Sequence, residues 1–507
     1  MTFQSATNKI SALAILAEAT NETNSGETNS RTRITHDAVL LEILDHLRPV
    51  NLRVEAELAA SDLLTIKHQV VLTIRHILRI ANELKCGLCI NLGFIYSYNK
   101  EFWKLIDREE IKVFLGDAAK KLGVNSVTAD YHKFLDELYR QFFVTAYLPK
   151  PRPKSKTVLI NVQNGTGEIT KGRLKLRPFN RADFLTYQLN FAYDEKATCP
   201  KWQKFLDRVL PEKDENGNDV DEGKSRQKVL AEYIGYVFTR HLKLEKTLLL
   251  YGGGANGKGV FFEVISAILG TENVSNYSLE SLGDQYYRAM IANKLLNYSS
   301  EISNRLQSEK FKQLTSGEPI EARLPYGQPI TLTNYAKLTF NTNELPKDVE
   351  HTEAYFRRFM IVPFDVTIPE EKQNKNLHNE IIEAELAGVF NWVLAGLNRL
   401  LEQGNFSKCD AAQKAVAKYR KESDSVAMFL AEEDYKASSN NDCEYTLKTL
   451  YQEYKSFCQD DGYKSLGKRK FKERLERLNI TVEAGNANKT YVWIEKIYVN
   501  EKDEASK

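Results

Sequence analysis

The most constraining feature of this chain is one short stretch, Gly252-Gly253-Gly254-Ala255-Asn256-Gly257-Lys258-Gly259. The apolar run Thr247-Leu-Leu-Leu-Tyr251 precedes it, and Val260-Phe-Phe-Glu-Val-Ile-Ser-Ala-Ile-Leu269 follows. A short apolar run bounded by glycines reads as a buried parallel strand, and the longer second run as a helix. The spacing Gly-x4-Gly-Lys between a strand and a helix is that of a phosphate-cradling P-loop. Glycines let backbone N–H groups turn inward around phosphate oxygens, and the helix N-terminus adds the positive end of its dipole. Lys258 then reaches the β- and γ-phosphates. The blander reading is a glycine-rich turn with a surface lysine, and the context on both sides weighs against it. The expected ATP-binding set is therefore Gly252, Gly253, Gly254, Ala255, Asn256, Gly257, Lys258, Gly259 and Val260. Gly259 departs from the usual pattern, because a Ser or Thr hydroxyl would there bind Mg²⁺. Either other groups and water hold the metal, or the site binds nucleotide with weakened hydrolysis.

At roughly 100–200 residues per domain, 507 residues make about three or four domains. Residues 1–36 read as a flexible segment, since 20–35 hold almost no large apolar groups. Residues 37–148 show helical apolar spacing, and Pro149-Lys-Pro-Arg-Pro-Lys154 breaks the chain. Residues 149–240 read as mixed α/β, beginning with a strand over 157–162 and a turn at Asn164-Gly-Thr-Gly167. Alternating strands and helices fill 241–405, and 420–500 is helical before a hairpin-like tail. Lys and Arg number 70 against 68 Asp and Glu, a net charge of +2. That balance excludes little, because only a contacting surface must be basic to hold nucleic acid. No stretch approaches the ~18 apolar residues of a membrane span, and Ile10–Ala17 reads as a helix rather than a signal peptide. Six cysteines in so long a chain are no disulfide framework and suit a reducing cytoplasm. Cys86 and Cys89 lack a second pair for zinc and read as small residues at a helix end.

Downstream residues carry further chemistry. Lys294-Leu-Leu-Asn-Tyr-Ser-Ser-Glu301 reads as a second core strand ending in a carboxylate. Glu301 would there orient Mg²⁺ through water or polarise the attacking water; alone, it is a solvated strand-end acid. Phe311 to Ile330 reads as a helix end and then a hairpin with Tyr326-Gly327 near its tip. Tyr335-Ala-Lys-Leu-Thr-Phe-Asn-Thr-Asn343 is a third strand ending in an amide, and Arg357-Arg358 precede the apolar strand Phe359–Phe364.

This series resembles the superfamily 3 helicases, an AAA+-related group, and within them the phage, plasmid and poxvirus primase-helicase family. Gly-x-Asn-Gly-Lys-Gly-Val-Phe is similar to a P-loop variant of that family. Glu301 matches its Walker B acid, Thr315-Ser-Gly-Glu to Arg323 its DNA-reaching hairpin, Asn343 its sensor asparagine, and Arg357-Arg358 its arginine-finger region. Gly93–Trp103 and Ala192–Pro200 are similar to its pre-helicase region, so the likeness runs over about 90–500 and is strongest over 246–364. It implies an AAA+-like core with a parallel sheet, ATP and Mg²⁺ as cofactors, and a hexameric ring. The expected catalytic set is Lys258, Glu301, Asn343 and, acting on a neighbour's ATP, Arg358 with Arg357 as the alternative. Arg323 and Tyr326 would grip single-stranded or fork DNA; an ion pair of Arg323 with Glu318 or Glu321 is the competing role. The helical first 90 residues leave too little room for a primase domain, so a separate primase or polymerase would be a partner.

The C-terminal part offers a second DNA candidate. Lys464 to Leu478 is strongly basic, and Glu483–Ile494 reads as a turn and strand, as in the wing of a winged helix. Lys468, Arg469, Lys470 and Lys472 give phosphate affinity first, unless they are only a solvated face. The resemblance also implies a winged helix here. Two functions compete: an ATP-driven DNA helicase, or a DNA-binding replication factor that uses nucleotide only to form rings. The presence of Glu301, Asn343, Arg357 and Arg358 favours the enzyme.

Overall fold

The computed structural model describes residues 35–147, 157–170, 173–211, 216, 218, 224–300, 302, 308–325, 327–346, 349–438, 445–485 and 489–496. The expectations for 1–34, Pro149–Lys154, most of the acidic loop 211–225 and 501–507 lie outside these residues. The chain forms two compact units: Met1–Ala197 with Phe238–His241 and Ile268–Asn273, and Thr198–Val237 with Leu242–Ala267 and Val274–Lys507.

The first unit begins with α1 (His36–His46), α2 (Leu52–Glu55) and α3 (Ile66–Glu83). Thr65 and His68 close a reciprocal capping box at the start of α3. Val70, Ile74, Ile77 and Ala81 recur at helical spacing and pack with Phe114, Leu138 and Phe142. The last three lie on α4 (Arg108–Lys121) and α6 (His132–Thr145), which flank the short α5 (Ser126–Asp130).

Helices dominate 37–148, and one sheet interrupts them. Residues 87–105 form an antiparallel meander, β1 (Gly87–Asn91), β2 (Phe94–Tyr98) and β3 (Trp103–Leu105). Leu92 and Gly93, at φ 52° and 81°, make the two-residue turn that joins β1 to β2. Both strands are buried throughout, so their apolar pattern lacks the alternation that marks a half-solvated strand. Cys89 therefore sits in a strand, not at a helix end. Burial pushes the Cys86 thiol up to about 11 and the Cys89 thiol up to about 12, so both are unreactive. A second meander follows as β4 (Val158–Val162), β5 (Gly165–Thr170) and β6 (Arg173–Arg177).

The second unit opens with α7 (Pro200–Val209) and α8 (Ser225–Val237), then β7 (Thr247–Tyr251) and α9 (Lys258–Leu269). Next come β8 (Val274–Ser275), α10 (Gln285–Met290), β9 (Leu296–Ser299) and α11 (Ser308–Ser316). The hairpin β10 (Ile320–Arg323) and β11 (Pro329–Leu332) leads to β12 (Lys337–Thr342), α12 (Glu353–Phe356) and β13 (Phe359–Pro363). Five parallel strands pair in the order β13-β7-β12-β9-β8. Leu248, Leu249 and Leu250 of β7 are fully buried at its centre, as befits a parallel strand covered on both faces. The loop after β7 leaves at the carboxyl edge, where open α/β sheets bind ligands.

Helices α13 (Leu377–Gln403) and α14 (Asp410–Glu422) complete this core. The α13–α8 contact is close: a Cβ on Gly396 would lie 2.3 Å from the Ala231 backbone. Fully buried Glu232 of α8 takes Arg399 of α13 at 3.1 Å and accepts from Ser407. Glu385 of α13 accepts the Lys201 and Trp202 N–H groups at the start of α7. Residues 198–237 thus belong to the same compact unit as the parallel sheet. The partners that pull them there come some 160 residues later, beyond any local pattern.

The chain ends with α15 (Ser425–Glu432), β14 (Tyr435–Ala437), β15 (Tyr445–Thr446), α16 (Leu447–Asp460), α17 (Lys468–Arg477), β16 (Val482–Ala484), β17 (Thr490–Val492) and β18 (Ile494–Lys496). Strands pair as β15-β17-β16 and β14-β18 around Phe429, Leu450, Tyr454, Phe471, Leu475 and Val492.

Candidate functional site

The loop after β7 is held open by backbone geometry. Gly252 (φ 154°) passes so close to the chain that a Cβ would lie 2.3 Å from the Phe364 carbonyl oxygen. Gly257 (φ 87°) meets Val209 of α7 at 2.7 Å on the same test. Around Gly253, Gly254 and Gly259 there is open space. Asn256 is buried and braces the loop from within, its Nδ2 donating to Gly253 O at 2.7 Å and Phe364 O at 3.1 Å. Lys258 Nζ turns back into the loop and donates to Gly252 O (2.6 Å), Gly253 O (2.7 Å) and Asn256 Oδ1 (3.1 Å). It also donates to Asn343 Oδ1 at 3.2 Å. Burial holds the Lys258 ammonium below the ordinary lysine range. Two residues 85 positions apart are brought together here, because β12, which ends beside Asn343, is hydrogen-bonded to β7.

These residues fit a polyphosphate: a glycine loop with an open side, a helix N-terminus, and a lysine engaged only by neutral oxygens. For Mg²⁺ the described residues offer less. No group of three His, Cys, Asp or Glu side chains gathers among them. Residue 259 is glycine, and Glu301 lies outside the described residues, beyond the end of β9.

The two arginines stand at the other edge of the sheet. Arg358 O accepts the Thr247 N–H at 2.8 Å, at the amino end of β7, while the loop leaves its carboxyl end. Five residues of strand, at about 3.3 Å each, put roughly 15 Å between the two edges. Arg358 is not the outward-facing member of the pair. Its side chain is 9% exposed, donates to Ser316 Oγ (2.8 Å) and Ala354 O, and pairs with Glu245 at 3.2 Å. Arg357 is 55% exposed and pairs with Glu245 at 3.1 Å. It borders a cavity of about 620 Å³ lined also by Lys246, Phe356, Met360, Phe406 and Arg420. Of the two candidate fingers Arg357 is thus the exposed one, while the Arg358 guanidinium is engaged within its own chain.

On the hairpin, Arg323 Nε donates to Gly327 O at 2.9 Å and so fastens the turn. Glu321 lies within 3.7 Å of both Lys310 and Arg288, so the competing Arg323–Glu321 pair is not formed. Tyr326 lies outside the described residues. On α17, Phe471 and Leu475 face inward and Lys468, Arg469 and Lys470 are exposed. Arg469 pairs with Glu473 at 3.1 Å, and half-buried Lys472 with Glu476 at 3.7 Å. Such i,i+4 pairs contribute only ~0.3–0.5 kcal/mol and leave the cations available.

Sequence reasoning missed several residues here. Arg474 of the same helix turns inward to buried Asp424, Nε to Oδ2 at 2.8 Å. Arg226, 2% exposed, donates to Pro363 O at 3.2 Å and Pro211 O at 2.8 Å, beside the Phe364 carbonyl that braces the loop. Only Asp424 left a local trace, as an N-cap before the apolar run Val426–Leu430. His351 donates from Nε2 to Ser423 O at 2.7 Å, and its Nδ1 is buried without a partner. Burial, against the opposing pull of Asp424, holds its imidazole below the ordinary histidine range. The unfolded chain therefore binds this proton first as pH falls below about 6.5, and stability should drop through that window. Denaturant midpoints at pH 7.5 and 5.5 check this: His351→Gln should lose less stability than the parent across the interval. An equal loss would remove His351 as a source.

The fold and site together define a mixed α/β protein with a glycine-lysine loop at the carboxyl edge of a parallel sheet. Comparison with known proteins adds three segments. Residues 79–211 match the family described as D5 N terminal like, and 421–504 the family described as Poxvirus D5 protein-like. Residues 250–358, which carry the loop and the arginines, match a family of unknown function. No curated protein matches the chain. Among solved structures, the A form apo structure of the NrS-1 C-terminal region aligns at 13% identity and TM-score 0.45, over 82% of this chain and 98% of that one. A second NrS-1 C-terminal structure aligns at 12% identity and TM-score 0.42, over the same shares. Among the described residues no helix is long and apolar enough to cross a membrane.

Proposed function

We propose that the chain is a replication protein of the D5-like primase-helicase kind, an ATP-driven translocase that acts as a ring on single-stranded DNA for a phage, plasmid or other mobile element. The observation that carries this reading is the meeting of Lys258 and Asn343 at one edge of the sheet, with Arg357 exposed at the other. In the nucleotide-bound state Lys258 exchanges the carbonyls of Gly252 and Gly253 for the β- and γ-phosphate oxygens. Asn343, already within reach of Lys258, orients the attacking water. Glu301 is the residue that would help hold Mg²⁺, which would supply charge neutralisation when bound with the nucleotide. Arg357 stands too far from its own loop and serves the loop of a neighbouring subunit, which requires an oligomer; a hexameric ring satisfies that need. The D5-like matches on both flanks support the assignment to replication, and the basic helix α17 beside the paired strands β15-β17-β16 supports the winged-helix reading of 425–492.

The test is ATP turnover with and without single-stranded DNA, alongside native mass measurement. Turnover that DNA stimulates, in a ring, is the expected result. One feature favours the competing reading, a ring-former without turnover: Gly259 lacks the hydroxyl that binds Mg²⁺. A nucleotide-dependent ring with no turnover would establish that instead. For the DNA face, Lys468→Ala with Lys470→Ala should lower the slope of log affinity against log salt by about 1.4 on single strands, about 0.7 per phosphate contact. An unchanged slope would make the exposed face of α17 a solvated surface.

A further inference from the structure

Arg474 is the one basic residue of α17 whose guanidinium is fixed inside the protein by a buried carboxylate, and its partner ties together more than the helix. The Asp424 side chain is 3% exposed and that of Arg474 17%. Asp424 Oδ1 also accepts the Val426 N–H at 3.2 Å, capping α15. A buried ion pair roughly breaks even against an apolar pair in stability, but its geometry is narrow, so it can fix one docking angle. Asp424 stands where α14 ends. With its last turn α14 holds the turn that bears Arg357. Arg420 pairs with Glu353 at 2.9 Å, the Tyr419 and Phe356 rings are 5.5 Å apart, and the Tyr419 and Tyr355 hydroxyls meet at 3.5 Å. At the last turn Ser423 O accepts from His351, six residues before Arg357.

We propose that Asp424 is a positioning residue that couples the basic helix α17 to Arg357, with the last turn of α14 as the link between them. The contacts to the arginine-bearing turn and the ion pair to α17 both fall within residues 419–424, the last turn of α14 and its cap, so the joint is short and direct. A tilt of α17 as it settles on phosphates is therefore passed to the turn, whose other side is held by Arg358 on Ser316 and by Lys246 on the Arg357 carbonyl. The coupling rests on the translocase reading above and adds to it the route by which DNA at the C-terminal segment alters turnover.

Asp424→Asn is the discriminating variant, because Asn caps a helix as well as Asp but cannot offer Arg474 a charge. With the full chain, ATP and oligothymidylate, it should bind both within about threefold of the parent and lose about fivefold or more of the DNA stimulation, the scale expected for a coupling residue. Basal turnover should be unchanged. Arg474→Lys, which keeps the charge but not the fork, should lose part of the stimulation. In the unsubstituted protein, amide exchange over 351–358 should change when oligothymidylate is added. Full stimulation in Asp424→Asn, or no change in exchange over 351–358, would overturn the joint while leaving the translocase intact. A parent protein that DNA does not stimulate at all would overturn both.

Discussion

Lys258→Ala is expected to abolish ATP turnover. The side chain is the only cation bonded into the loop among the described residues, and its present acceptors are the carbonyls of Gly252 and Gly253 and the amides of Asn256 and Asn343. None of these is an anion, so the ammonium is held by weak acceptors that a phosphate oxygen outcompetes. Removing one preorganised electrostatic group from a site typically costs ~10²–10³ in rate. The same change frees the loop carbonyls, so nucleotide affinity should fall as well. The fold should persist, because Asn256 still braces Gly253 against Phe364 and the sheet does not use Lys258. Turnover above a tenth of the parent value would sink the assignment of this loop.

Arg357→Ala should bind nucleotide normally and hydrolyse it at least about a hundredfold more slowly, within the range of a finger supplied in trans. Its place at the amino edge of the sheet excludes action on its own loop. Mixing it with Lys258→Ala protein should restore part of the turnover, since a Lys258→Ala subunit still offers Arg357 to an intact loop on its neighbour. Arg358→Ala should behave differently. It strips Ser316 and Glu245 of a buried partner, which costs about 1–3 kcal/mol, and so lowers the melting temperature. If mixed rings form with no recovery, or if Arg358→Ala alone complements Lys258→Ala, the assignment to Arg357 is wrong.

The contrast between Arg357 and Arg358 marks how far local reading reaches. Two adjacent arginines before an apolar strand look alike in sequence. Which one is buried depends on Ser316, 42 positions before Arg358, and on the short helix α12 that delivers them. The hairpin gives the same lesson in reverse. Its two strands and their turn were legible from Ile320 to Ile330, but the choice of Gly327 over Glu321 as the partner of Arg323 was made by Arg288 and Lys310 occupying that carboxylate.

What the sequence by itself determined is what neighbouring residues can settle. The run Thr247–Tyr251, the glycines after it and the apolar residues of α9 specify strand, loop and helix, because burial pattern and backbone freedom are local properties. The amphipathy of α17, with Phe471 and Leu475 on one side and Lys468 to Lys470 on the other, is likewise written in its spacing. Only the tertiary structure decided that β1 and β2 are strands, since burial on both faces erases the alternation that would mark them. It alone placed α7 and α8 on the parallel sheet, through Glu232 with Arg399 and Gly396 against Ala231. It alone turned Arg474, one of several basic residues on that helix, inward onto buried Asp424. In each case the deciding energy is a contact between groups far apart in the chain, and such pairings exist only once the core has brought them together.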